Sequence, residues 1–329
     1  MLKEVFVLKL QEKWIDLLNP RYIENEEKRK KTQIIIFFSI TFGLTYLLGL
    51  LLYFNKFIDP ENFASFMMIL PLSSVAIAKF YTEGKTNDRY KFYSLIILFF
   101  LLYFLLFIIA SLKLITNNEF SIINIVLTFI SSLCVIIYSS KPTDLYLLRN
   151  LRIGALLIVY FIFSQIILGL IISKNNLNYN GILFYLNLTI ISLIYIYPFL
   201  SEEYGWRCFL QSIFFGKFGK KIGVIIVGVC WSLWHLPLQF TFYSPDAPIM
   251  GSVIHLIYGI GLSIFLGYVY LKTKNIWFCS IIHALIDNLD VICNSSEMTF
   301  SYYVILERLI FVSLFYLPFL FAKEYKQHT

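Results

Sequence analysis

Residues 92–112 read FYSLIILFFLLYFLLFIIASL, 21 positions without a single charge. As a helix rising 1.5 Å per residue, such a segment is about 30 Å long, the thickness of a bilayer's hydrocarbon layer. It has no polar face to turn toward water, so it predicts a transmembrane span. The same reading extends outward in both directions. Apolar runs separated by charged or turn-forming residues predict ten spans, near residues 33–54, 63–79, 92–112, 120–139, 153–172, 181–206, 224–243, 253–271, 276–293 and 303–322. The whole 329-residue chain is 59% hydrophobic, 19% aromatic and 14% charged, against about 25% charged in an ordinary globular protein. A water-soluble fold is excluded, and the expected fold class is an all-α polytopic transmembrane bundle of about ten spans.

The formal charge of +7 does not point to nucleic acid, because Lys and Arg gather between the apolar runs. Counted segment by segment from the N-terminus, they number 8, 1, 4, 1, 3, 1, 4, 0, 2, 0 and 2, with Arg308 inside the last span. Alternate connections therefore hold 23 basic residues on one side and 3 on the other. Short cytoplasmic loops carry such an excess, which predicts a multi-pass cell-membrane protein with both termini in the cytoplasm. Residues 1–31 form a basic N-terminal segment. Leu2, Phe6, Leu10, Trp14 and Leu17 have the spacing of a surface helix before Pro20, and Lys28 to Lys31 abut the first span as an anchor. Charges from Lys3 onward interrupt any secretory-signal core, so this segment is expected to stay on the protein. Of five cysteines, Cys134, Cys230, Cys279 and Cys293 lie in apolar runs as packing residues, and Cys208, although beside a polar cluster, is not assigned a role.

The two halves differ. Residues 32–175 carry five spans nearly free of charge, whereas 176–329 place Glu, Arg, His, Asp and Asn in or beside apolar helices. Ionisable groups cost several kcal/mol inside a bilayer unless they pair or line a wet cavity, so their clustering marks a site. Three groups stand out. In Ser201-Glu202-Glu203-Tyr204-Gly205-Trp206-Arg207, Glu203 and Arg207 are four apart, in the order that favours an ion pair, while Glu202 projects about 100° away and is left for a cavity. Trp231-Ser232-Leu233-Trp234-His235-Leu236-Pro237 puts one histidine inside the seventh span. In the ninth, His283 and Asp287 share a face, with Asn288 beside them. Each group also has a bland reading: glutamates that end a span in water, a hydrogen-bonded core histidine, a His–Asp bond within one helix. Their depths argue otherwise. Glu202 lies 15 residues before Lys217 and His235 lies 14 after Lys221, while His283 is nine residues from Lys274, so the three can converge. Lys217, Lys220 and Lys221 mark the cytoplasmic turn of the hairpin, and Arg207 suggests that its tip projects into the cytoplasm, so the shared level is expected in the cytoplasmic half.

The order Glu-Glu-x-x-x-Arg, aromatic-x-x-x-His and His-x-x-x-Asp resembles that of the CPBP family, the CAAX proteases and bacteriocin-processing intramembrane proteases, over roughly residues 180–322. The family often has Phe where Trp231 stands and Asn where Asp287 stands. The resemblance implies an intramembrane endopeptidase in which Glu202 and His235 hold and deprotonate a water, while His283 and the polar residue one turn later bind the oxyanion. Glu203 and Arg207 would position Glu202. An ionised Asp287 donates no hydrogen bond, so it would be protonated or orient His283, or Asn288 would be the donor. Family members are also described as metalloproteases, and Glu202, His235 and His283 suit Zn²⁺; metal dependence stays open on the residues alone.

His255, at the start of the eighth span, is placed outside the cluster. Gly251, Gly259, Ser263 and Gly267 form a small-residue stripe for helix packing, and Pro237 is expected to bend the seventh span beside His235. The expected partners are the lipid bilayer and a membrane-associated peptide or protein substrate, cut near the cytoplasmic face, with no nucleic acid. The alternative is a non-enzymatic bacteriocin-immunity or regulatory scaffold. A transporter is less supported, because no repeated half with discontinuous helices is evident.

Overall fold

Apolar runs too long for a soluble core and too poor in glycine to break become helices, because in lipid a backbone must satisfy its own hydrogen bonds. A computed structural model describes residues 22–55, 59–83, 89–139, 145–172, 187, 190–288 and 302–326, which contain helices and no strand. The helices are α1 (Glu26–Asn55), α2 (Pro60–Glu83), α3 (Tyr90–Ser111), α4 (Asn117–Tyr138), α5 (Leu151–Ile172), α6 (Tyr197–Glu203), α7 (Gln211–Phe218), α8 (Lys220–Trp234), α9 (Pro248–Thr273), α10 (Ile276–Asp287) and α11 (Tyr302–Phe315). Eight candidate spans are long and apolar enough to cross a membrane, giving a polytopic helical bundle. The N-terminal surface helix expected over residues 2–17, Cys293 and His328 lie outside the described residues.

Among the described residues, the sixth and ninth expected spans, which carry the carboxylates and a histidine of the polar groups, contain no single helix of 18 residues or more. The sixth is interrupted at residues 195–196, restarts as α6 with Pro198 in its first turn, and passes through a π-helical segment, Tyr204–Leu210, into α7. Such π segments recur at functional sites. The ninth is represented by the 12-residue α10.

Side-chain pairs give the directions of the helices. Gln33 of α1 bonds Thr82 of α2 and Thr41 bonds Ser74, so these two run antiparallel. Trp234 of α8 donates to the Thr41 carbonyl and Thr45, while Tyr46 donates to the Leu233 carbonyl; α8 runs parallel to α1. α9 returns antiparallel to α8, since Ser263 bonds the Val224 carbonyl and Ser232 bonds the His255 carbonyl. One end of the bundle thus collects Lys30, Lys79, Lys220 and Lys272. There Lys272 pairs with Glu324 at 2.7 Å, and Lys220 donates to the Glu324 carbonyl at 2.9 Å. A burial penalty on the Glu324 carboxyl is outweighed by Lys272, which holds its pKa below the ordinary carboxylate value. The far end carries Asp59, Glu61 and Asp246.

The small-residue stripe closes the α8–α9 contact. A methyl on Gly228 would stand 2.8 Å from the Ile260 Cα and the Ser263 Cβ, so no larger residue fits there without moving a backbone. Pro237 acts as its chemistry requires. It supplies no N–H to the Leu233 carbonyl four residues earlier, and that carbonyl instead accepts the Tyr46 hydroxyl at 2.7 Å. The helix is interrupted at His235, where the backbone N–H bonds Ser232 at 3.2 Å rather than continuing the α pattern, and a π-helical turn, Gln239–Tyr243, follows.

Candidate functional site

Glu202 and Glu203 end α6 and are both buried, at 1% and 0% exposure. Their neighbours separate their duties. Glu203 Oε2 takes the Arg207 Nε hydrogen bond at 2.9 Å, as the i, i+4 spacing requires, and its Oε1 takes His283 Nδ1, also at 2.9 Å. Arg207 donates from Nη1 to Ser263 Oγ at 2.7 Å and lies 5.3 Å from the Trp231 ring centre. Its Nη2 has no partner among the described residues. A buried charge pair stripped of one member is strongly destabilised, so Arg207, Glu203 and His283 hold three elements as a unit. Arg207 is therefore an interior residue and no marker of the membrane surface.

Glu202 is held differently. Its Oε2 accepts the Trp231 indole N–H at 3.1 Å, and His283 Nε2 stands 3.9 Å away, too long for a direct hydrogen bond. Asp287 Oδ1 is at 3.8 Å from the same nitrogen. Because a carboxylate can only accept, His283 Nδ1 carries the hydrogen toward Glu203, and Nε2 is the ring atom left to address Glu202, Asp287 and any small molecule between them. On α8, His235 Nδ1 lies 3.0 Å from the Trp231 carbonyl, again an acceptor, so Nδ1 is the donor and Nε2 remains for other work. Trp231 lies between the two imidazoles, with ring centres 6.0 Å from His235 and 5.4 Å from His283.

These groups open on one cavity of about 700 Å³, whose wall includes Glu202, Trp231, His235, His283 and Asp287. Of the sequence-derived candidates, Glu202, His235, His283 and Asp287 meet at this cavity, with Glu203 and Arg207 behind them. Asn288 does not join them. Its amide N–H groups bond the Ala284 carbonyl at 2.8 Å and Ser192 Oγ at 3.1 Å, because the last turn of α10 leaves carbonyls for a polar side chain to cap.

His255 corrects the sequence reading. α9 begins at Pro248, so His255 lies two turns inside the bundle rather than at its edge, and its ring centre is 4.9 Å from that of His235. It lines the same cavity. The spacing from Lys272, set against that of His235 from Lys221, was a signal of similar depth. Trp231 was noted for its place in the motif and not for its N–H. The wall also draws on the N-terminal half, through Glu61, Ser65 and Met68 of α2, so the boundary near residue 175 does not separate the site from the first helices.

The cavity occupies the start of α2, α9 and α11 and the end of α8 and α10. All of these are the ends remote from Lys220 and Lys272. The cavity thus lies among helix ends away from the basic end, whereas the sequence reading expected a site toward the cytoplasmic face, and the buried Arg207 on which that depth leaned belongs to an internal ion pair.

The donor set was also tested against Zn²⁺. Among the described residues no three His, Cys, Asp or Glu side chains are grouped to hold a metal ion; the Nδ1 bonds of His235 and His283 leave each Nε2 available and do not themselves argue against a metal. Glu202, His235 and His283 as placed do not fit a three-ligand zinc site.

No curated protein and no solved structure matches the chain. Residues 183–289, about a third of the chain and the part that supplies both glutamates, Arg207 and all three cavity histidines, match the family described as type II CAAX prenyl endopeptidase Rce1-like, and this match supports the resemblance to the CPBP family of CAAX proteases.

Proposed function

We propose that this chain is an intramembrane endopeptidase in which Glu202, with His235, activates a water for attack on a peptide carbonyl. The water oxygen bonds to the carbonyl carbon as Glu202 takes its proton. The oxyanion then collapses to re-form the carbonyl as the C–N bond breaks, and the same proton passes to the departing amine, so the Glu202 carboxylate is restored. His283, with a hydrogen on Nε2, is the donor to the developing oxyanion, and Glu203 on Nδ1 fixes the ring for that task. Asp287 orients His283 or, when protonated, donates beside it. Substrates are membrane-associated or amphipathic peptides that reach the cavity from the half of the bundle opposite the basic end.

The observation that carries this reading is the approach of Glu202 and His283 across two helices, 3.9 Å apart at a shared cavity. A direct bond there would have spent both groups on each other; the gap suits an intervening oxygen. Peptidase assay of the purified chain in detergent tests it. Glu202→Gln or His235→Ala is expected to lower turnover by at least about 100-fold, with unchanged thermal midpoint, and full activity in either variant overturns the assignment. A chelator arm run beside them is expected to leave turnover unchanged.

A second reading is favoured by the Arg207–Glu203–His283 ion-pair unit, which ties α6, α10 and the π-helical segment as a scaffold would. In a non-enzymatic immunity or regulatory protein, protection of cells would survive Glu202→Gln, whereas the peptidase loses its effect.

A further inference from the structure

Arg308 is the one charged side chain on the cavity wall that comes from the last span. It lies outside the family-matched segment and is 7% exposed. Its guanidinium sits 5.2 Å from the Tyr258 ring centre and makes no hydrogen bond or ion pair with another described residue. The tyrosine is itself fixed: its hydroxyl donates to Gln165 Oε1 at 3.0 Å, and Gln165 Nε2 donates to the Tyr316 oxygen at 2.5 Å. A guanidinium kept in a bilayer-embedded wall on a rigid aromatic platform retains a planar fork of donors, and that fork matches a carboxylate.

Position sets the relation to the chemistry. Tyr258 follows His255 by three residues on α9, so both face the same side one turn apart. The His255 ring in turn lies 4.9 Å from that of His235. An anion on Arg308 would thus stand roughly 10–15 Å from the catalytic cluster, a span of a few extended residues at ~3.4 Å each.

We propose that Arg308, seated on Tyr258, is a specificity-determining subsite that binds a carboxylate of the substrate peptide a few residues from the bond cut. The proposal rests on the peptidase reading for the nature of the substrate. The carboxylate belongs to the peptide's C-terminus or to an Asp or Glu side chain. A random decapeptide library, offered to the full-length protein as C-terminal acids and separately as C-terminal amides, distinguishes them when products are read by mass spectrometry. Wild type is expected to enrich carboxylate-bearing substrates at a fixed distance by ~10-fold or more, the worth of a charge-assisted hydrogen-bond pair. Cleavage of the acids alone identifies the terminus; Asp or Glu enrichment in both libraries identifies a side chain.

Arg308→Gln is expected to lose the enrichment while still cutting neutral peptides, and Arg308→Lys to keep a reduced form of it. Equal selection in wild type and Arg308→Gln, or no carboxylate enrichment in either library, overturns the subsite. If Arg308→Gln fails to fold, Arg308→Lys decides by the same comparison. If wild type cuts nothing, the peptidase reading falls, and acetyl-trileucine as acid and amide serves as probe. The acid raising the thermal midpoint of wild type more than that of Arg308→Lys supports the subsite, and equal effects of acid and amide on wild type overturn it.

Discussion

Trp231 shows how much one side chain can settle. Its face lies against Arg207 and its N–H holds Glu202, so the residue that fills the aromatic position of the second motif also orients the proposed base. Trp231→Phe keeps a ring for Arg207 and removes the donor. We expect turnover to fall about 10-fold, the cost of one hydrogen bond of ~1.4 kcal/mol, with a small change in thermal midpoint; steady-state kinetics on the purified variant checks this. Glu203→Ala should behave in the opposite manner. It strands Arg207 in the interior and is expected to cost ~3–5 kcal/mol of stability, visible as a large drop in the thermal midpoint. Asp287 and Asn288, adjacent in sequence, part company in the same way. Asp287→Ala should reduce turnover, whereas Asn288→Ala should cost ~1 kcal/mol of stability at the end of α10 and leave turnover close to wild type. If Asn288→Ala abolishes cleavage in a folded protein, the assignment of the third polar group reverses.

At the scale of the element, the helices that carry the candidate site residues Glu202 and His235 are the irregular ones. α6 starts at a break and continues through a π-helical segment, and α8 is interrupted where His235 needs to face the cavity. Pro237 is the cause in the second case, and its effect was readable from the missing N–H. The π-helical segment was not readable, because Tyr204 to Leu210 contains no residue that demands it. Pro237→Ala restores a donor for the Leu233 carbonyl and should straighten the helix, displacing His235. Lower turnover with equal or higher thermal stability is the expected outcome. Close packing is equally local. Gly228→Leu cannot be accommodated against Ile260 and Ser263, and overpacking of this kind costs ~1–3 kcal/mol or more, again read from the thermal midpoint.

For the whole molecule, the alternation of basic segments and the side-chain pairs agree on which helix ends lie together. The cavity then occupies the end remote from the lysines. In a cysteine-free background, Glu61→Cys at the rim and Lys220→Cys at the basic end should react with a membrane-impermeant maleimide from opposite sides of intact cells, Glu61→Cys from outside. Labelling of Glu61→Cys from the inside alone would move the pocket back to the cytoplasmic half. The first helices also take part: α2 contributes Ser65 and Met68 to the wall, and Ser201 Oγ accepts from the Leu72 N–H at 3.3 Å.

Hydrophobic run length, the charge of the loops and the i, i+4 pairing of Glu203 with Arg207 were properties of the sequence alone, because each follows from neighbours along one helix or from the thickness of a bilayer. So was the candidacy of Glu202, His235 and His283, since ionisable groups in apolar helices are too costly to be incidental. The tertiary structure decided which of them face the same space. His255 joins the cavity because α9 starts five residues earlier than its apolar run suggests, Asn288 turns back to its own helix, and Arg308 arrives from a span with no motif. Facing depends on how helices rotate and cross, and those angles are set by packing between segments distant in sequence, which no pattern within one segment encodes.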